Sequence, residues 1–175
     1  MDPHVPANSR PPSRRLGTAY RQPLAHELFK LPAGWHSRHV GELFGLGGSF
    51  DHLVIGPGGV SIVFAKRHRN GLVRVHDHTI DYIGRLMPYL LHAHEEADRV
   101  AIELSDACGF PVTVRPVIAF VKTSLQVDRA PSDADVVARR DLHRVLMARR
   151  PILDPATVTS ILETVAPGAS TFYAA

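Results

Sequence analysis

Phe50-Asp51-His52-Leu53-Val54-Ile55-Gly56-Pro57-Gly58-Gly59-Val60-Ser61-Ile62-Val63-Phe64-Ala65-Lys66 is the stretch that decides the fold. Asp51 to Ile55 reads as a short apolar strand, Gly56-Pro57-Gly58-Gly59 as a tight connection, and Val60 to Lys66 as a second strand. Pairing the two around a four-residue loop sets Ile55 against Val60 and Asp51 against Phe64. Lys66, two residues further, then shares a face with Phe64. Opposed residues have Cβ atoms ~5 Å apart, and a long side chain reaches its diagonal neighbour. A regular hairpin therefore predicts that Asp51 and Lys66 converge near one sheet edge while His52 points to the other face. The glycines resemble a phosphate loop in composition only. No Lys-Ser/Thr pair follows them, and they lead into a strand, where hairpin geometry suffices to explain them.

Upstream of the hairpin, Leu24, Leu28 and Leu31 recur at helical spacing and predict a short amphipathic helix within residues 16–31, with Pro23 near its first turn. Pro32-Ala33-Gly34 ends it, residues 35–44 read as a strand, and residues 45–49 as a turn. Downstream, residues 72–75 and 79–83 predict a further hairpin. Pro88 precedes a long helix with Ala93, Ala97, Val100, Ala101, Leu104 and Cys108 on one face, stopped by Gly109. Residues 112–121, dense in valine and isoleucine, predict a buried strand, and residues 135–138 a shorter one. Asp141 opens a helix running to about Arg149, and Asp154 caps a last helix with Pro155 in its first position. Strands interleaved with helices imply an α/β domain, with a mixed β-sheet flanked by helices.

A chain of 175 residues has room for one domain with a real core and not for two ordinary ones. Apolar residues at 45% and charged residues at 21% fit a soluble globular protein. The division expected is a disordered basic tail over residues 1–15, with four prolines and Arg10, Arg14 and Arg15, then a single domain over residues 16–175. Cys108 has no partner for an internal disulfide and reads as a small buried side chain. No apolar run approaches the ~20 residues needed to cross a bilayer, and the start of the chain lacks the apolar core of a signal peptide. The expectation is a cytoplasmic protein without a membrane partner. A net charge of +3 is compatible with a polyanionic partner but selects none.

The run from Phe50 to Val60, followed by Lys66 and Gly71, resembles the core of the nuclease-related domain family, within the PD-(D/E)xK superfamily. That family carries an Asp-His run, a Gly-Pro turn and an apolar strand ending in an acidic residue, any residue and lysine. Leu31-Pro32-Ala33-Gly34-Trp35 with His39 resembles the entry to the preceding strand in actinobacterial members. Pro88-Tyr89 and Glu96-Ala97-Asp98-Arg99 resemble the helix that follows, so the likeness extends over roughly residues 20–171. It implies a restriction-endonuclease-like fold in which acidic residues hold Mg²⁺ and the lysine supports the attacking water or the transition-state charge. DNA is the partner implied. Asp51 and Lys66 are the catalytic positions, and Asp51 the metal ligand.

This sequence departs from that pattern at two places. Phe64 stands two residues before the lysine, where the family has an acidic residue, and phenylalanine cannot ligate a metal. The Gly-Glu pair of the family's first helix falls near Tyr20-Arg21, while Gly41-Glu42 copies its letters on the strand instead. Asp51 and Lys66 together carry almost no net charge, so a dication needs a further carboxylate: Glu96 first, then Glu27, with Asp81 behind them. The expectation is a protein that binds or processes DNA with weak or lost cleavage, using Mg²⁺ only if active. The alternative is a non-catalytic interaction module with a protein partner or a second copy of itself, its cleft packed by Phe64. Among cations, Arg67, Arg69 and Arg74 beside Lys66 and His68 are the candidate phosphate contacts. Arg139, Arg140, Arg144, Arg149 and Arg150 read as a solvated helix face. His76 and His78 on one strand face, and His92 a turn from Glu95 and Glu96, lack the cysteine partners or helical His pair of a zinc site.

Overall fold

The hairpin forms in the register that the alternation requires: His52 pairs with Val63, Leu53 with Ile62, Val54 with Ser61 and Ile55 with Val60. Its turn is tighter than four residues, because Gly56 and Gly59 still pair and only Pro57 and Gly58 form the tip. Gly59 has φ +103°, a conformation open to glycine and strained for other residues. The computed structural model describes residues 24–40, 46, 48–69 and 71–166. The basic tail, the start of the first helix, Tyr20-Arg21 and Gly41-Glu42 lie outside the described residues.

A short helix, α1, covers residues 24–28. The strands are β1 (His36–His39), β2 (His52–Gly56), β3 (Gly59–Lys66), β4 (Leu72–His76), β5 (Thr79–Tyr82) and β6 (Arg85–Met87). After helix α2 (Tyr89–Cys108) come β7 (Val114–Phe120), β8 (Ser124–Arg129) and β9 (Asp135–Ala138). A 3₁₀ turn (Arg139–Asp141) leads into α3 (Leu142–Met147), and α4 (Pro155–Thr164) is the last helix described.

The single mixed sheet expected is in fact two. The first has the order β1-β2-β3-β7-β9, antiparallel across β1, β2 and β3 and parallel from β3 through β7 to β9. The second has the order β6-β5-β4-β8, with β4 and β8 parallel. The parallel pair β3/β7 leaves the first sheet together, after Lys66 and Phe120, and re-forms as the pair β4/β8 in the second. Lys66-Arg67-His68-Arg69 explains the break, since a central strand buried on both faces cannot carry four polar residues in a row.

Both faces of the first sheet are covered. Val60, Ile62 and Phe64 of β3 with Ile118 and Phe120 of β7 pack on one side against α2, α4 and the inner face of the second sheet. Val63 of β3 with Val117 and Ala119 of β7 pack on the other side against Leu24 and Leu28 of α1 and Leu142 and Leu146 of α3. Helix α2 buries Leu90, Ala93, Ala97, Val100 and Leu104, and ends where Gly109 adopts φ 74°. Cys108 is only half-buried, with Sγ 3.5 Å from Thr164 Oγ1, because it lies in the last turn where the helix leaves the core. Asp154 caps α4 by accepting the Thr157 N–H at 2.8 Å. No helix among the described residues is long and apolar enough to cross a membrane.

Candidate functional site

Asp51 sits one residue before β2, where the regular ladder ends. Its own N–H donates to Val63 O at 2.8 Å, one residue short of the Phe64 pairing that a perfect hairpin would give. Its carboxylate compensates, as Oδ2 accepts the Ala65 N–H at 2.7 Å in place of a backbone carbonyl. Asp51 is therefore first a ladder cap on β3, a role that nothing in the spacing announces.

Lys66 ends β3 on the same sheet face as Phe64. Its Nζ lies 5.0 Å from the centroid of the Tyr89 ring and 5.8 Å from that of Phe64, so two aromatic faces wall the ammonium. Burial lowers the Lys66 pKa, and the Asp51 carboxylate works in the opposite direction without reversing it. The two side chains thus sense one another, although no direct ion pair joins them among the described residues. Phe64 is buried within the core and serves as packing and as one wall of the lysine pocket.

Around Lys66 the aromatic wall continues. The His68 ring lies 3.9 Å from that of Tyr82 between centroids, and its Nε2 meets the Tyr89 hydroxyl at 2.9 Å. Burial and the neighbouring Lys66 charge both lower the His68 pKa. Tyr82 donates its hydroxyl to Arg69 O at 2.7 Å, and the His68 N–H donates to Thr123 Oγ1 at 3.0 Å. These bonds fix the backbone between the two sheets. Tyr89 was not a predictable partner of Lys66, since a sequence separation of 23 residues carries no periodic signal.

A cleft of about 320 Å³ opens at this point, lined by Ala65, Lys66, Arg67, Arg69, Tyr89 and Val121. It lies at the C-terminal ends of β3 and β7, where backbone departure leaves room for a ligand. Arg67 and Arg69 line the cleft beside Lys66. Arg74 does not line the cleft: it alternates with buried Val73 and Val75 and occupies the outer face of the second sheet.

The other carboxylates are committed elsewhere. Glu96 Oε1 accepts from Arg99 at 2.6 Å and from the Ser49 N–H at 3.1 Å, tying the approach to β2 onto α2. Glu27 is buried on the opposite face of the first sheet, paired with Lys30 at 2.7 Å and His143 at 3.2 Å. Asp81 accepts the Gly84 N–H at 3.0 Å and closes the β5–β6 turn. The described residues contain no group of three or more His, Cys, Asp or Glu that could hold a metal ion. Mg²⁺ wants several oxygen ligands, and here one carboxylate, already bonded to a backbone N–H, faces an ammonium. This donor set does not fit Mg²⁺.

Two sequence readings need correction. His76 and His78 do not share a strand face, because β4 stops at His76 and Asp77 turns the chain with φ 54°. His52 does face away from Lys66, with its ring set edge-on to His39 at 5.3 Å between centroids. Arg149 is no solvated helix residue. It donates to Ser61 Oγ at 2.5 Å and pairs with Asp135, whose other oxygen accepts from Arg115 at 3.1 Å. Burial would raise the Asp135 pKa, but the two arginines outweigh it and hold the carboxyl below its usual value. This network closes the N-terminal end of the parallel strands, opposite the cleft. Comparison with known proteins returns nothing: no protein-family model, curated protein or solved structure matches the chain.

Proposed function

We propose that this chain is a nuclease-related, restriction-endonuclease-like α/β domain that binds DNA through its phosphates, with metal-dependent cleavage weak or lost. The observation that carries the reading is the placement of Asp51 and Lys66 around the end of the β2–β3 hairpin, close enough for the carboxylate to act on the lysine. Arg67 and Arg69 extend the positive lining of the same cleft. Lys66 and the two arginines would contact phosphate oxygens, each contact contributing salt-dependent affinity. Asp51 would hold the end of β3 and orient Lys66 by its field. The poor fit to Mg²⁺ and the ring at Phe64 support binding over cleavage.

Buried Phe64 also favours a second reading, a protein-interaction module on the same fold. One experiment separates them. A fluorescent DNA duplex is titrated with the native chain over a range of salt, and cleavage is followed with Mg²⁺ and Mn²⁺ beside Asp51→Ala. Steeply salt-dependent binding without cleavage is the expected result. Cleavage abolished by Asp51→Ala restores a working nuclease. Absence of both activities removes DNA from the account and leaves the interaction module.

A further inference from the structure

Next to the Lys66 cleft lies a larger crevice of about 580 Å³ that none of the residues discussed as site candidates enters. It forms because two neighbouring parallel strands part company at their C-terminal ends. After Phe120, β7 crosses to the second sheet through Lys122 and Thr123, whereas β9 ends at Ala138 and turns into the 3₁₀ segment Arg139–Asp141. Divergence of this kind is where open parallel sheets hold ligands.

The lining combines cations and hydroxyl groups with apolar Phe120, Leu125 and Ala138. Lys122, Arg139 and Arg140 supply cations, Thr123 and Ser124 supply hydroxyl groups, and Phe120 forms part of the floor. Among the described residues, no carboxylate lines the crevice. Two acids bear on these cations: Asp141, shared between Arg140 at 3.6 Å and Arg144, partly offsets Arg140, and Glu27, whose field reaches Arg139, is paired with Lys30 and His143. Lys122 adopts φ 51°, the left-handed region where glycine or asparagine is the easy choice. A lysine there keeps a cation at the rim against a backbone preference. Guanidinium groups, an ammonium and hydroxyl donors together suit phosphate oxygens.

We infer that this crevice is a second phosphate-binding subsite on the track of the same nucleic-acid strand, an inference that rests on the DNA-binding reading above. Phe120 in the crevice and Val121 in the cleft are consecutive, so the two sites adjoin. Strands β3 and β9 are two strand spacings apart, roughly 10 Å, a length over which one strand of a duplex carries about three charges. The track runs from Arg69 and Lys66 past Lys122 to Arg139 and Arg140.

The test measures binding of a fluorescent DNA duplex against salt for the native chain, Lys122→Gly, Arg140→Gln and their combination, with Arg67→Gln/Arg69→Gln in parallel. Lys122→Gly is informative because glycine relaxes the left-handed backbone, so any loss of affinity has no folding defect behind it. Arg85→Ala, on the far strand β6, controls for loss of net charge. Removing Lys122 and Arg140 together is expected to weaken binding and to reduce the slope of log K against log salt by about 2, roughly one per phosphate contact. Native affinity and slope in the combined variant, with the Arg67/Arg69 variant impaired, overturn the crevice and leave the Lys66 cleft standing. An equal loss with Arg85→Ala overturns it too, by reducing the effect to overall charge. No salt-dependent binding by the native chain overturns both readings.

Discussion

Lys66 is held in an environment that works against its own charge. It is half-buried beneath the rings of Phe64 and Tyr89, and burial lowers its pKa despite Asp51. Because the folded pKa lies below the ordinary 10.5, the unfolded chain holds the proton more tightly in the interval between them. Stability therefore rises as pH passes upward through the folded pKa, and at neutral pH the charged lysine is a liability to the fold. Lys66→Met is expected to raise the urea midpoint at pH 7 while weakening DNA binding, with the stability gain shrinking in alkaline buffer. A lowered midpoint would show that the two rings and Asp51 together favour the cation. Opposite signs for stability and binding at one residue are what a functional group strained by its site produces. The nearness of Asp51 to Lys66 could be read from the pairing of the hairpin. Their surroundings could not, since the bond from the Ala65 N–H to Asp51 and the ring of Tyr89 depend on a local irregularity and on a helix 23 residues away.

The β2–β3 hairpin is held as an element by contacts at both ends. At its tip, Pro57 O accepts from the Ile152 N–H at 2.8 Å and the Leu153 N–H at 3.1 Å, so the segment before α4 grips the turn. Under the turn lies Trp35, the single tryptophan of the chain. A Cβ added at Gly56 would come within 2.4 Å of the Trp35 ring, closer than packed atoms tolerate. Gly56→Ala is expected to cost about 1–3 kcal/mol through overpacking and to shift the tryptophan emission, because the indole must move. An unchanged spectrum at unchanged stability would mean that the turn yields instead. Elements that bury a regular face were legible in advance: the β2–β3 register, the α2 stripe, the Asp154 cap. Strand β8 was missed because Ser124–Arg129 is exposed at all but one position and so lacks the apolar rhythm that marks a strand. The same reasoning misplaced Arg149, whose partners Ser61 and Asp135 lie 88 and 14 residues away.

Charged side chains at the two ends of the parallel strands have different surroundings. Arg115 and Arg149 share the Asp135 carboxylate at the N-terminal end, while Lys66, Arg67, Arg69, Lys122, Arg139 and Arg140 gather at the C-terminal end. The first set serves folding. Asp135 titrates below its usual value of 3.8, so its contribution is complete above that value and is lost as pH falls through the depressed folded pKa. Urea midpoints followed from pH 6 to pH 2 are expected to drop in the native chain and to drop less steeply in Asp135→Asn, which is already weaker at pH 6. Parallel curves would remove Asp135 from the acid transition. What the sequence did not disclose at this scale was the second sheet, because two strands changing sheets side by side is a property of the pair and of neither strand alone.

That shared crossing has a mechanical consequence. The Val121 N–H donates to Lys66 O at 2.8 Å and the His68 N–H to Thr123 Oγ1 at 3.0 Å, so two bonds stitch the stretch where the β3/β7 ribbon bends into β4/β8. A polyanion lying across Lys66 and Lys122 would rivet this bend from outside. Amide hydrogen exchange should then slow on DNA binding in β4, a strand none of whose residues lines either cavity.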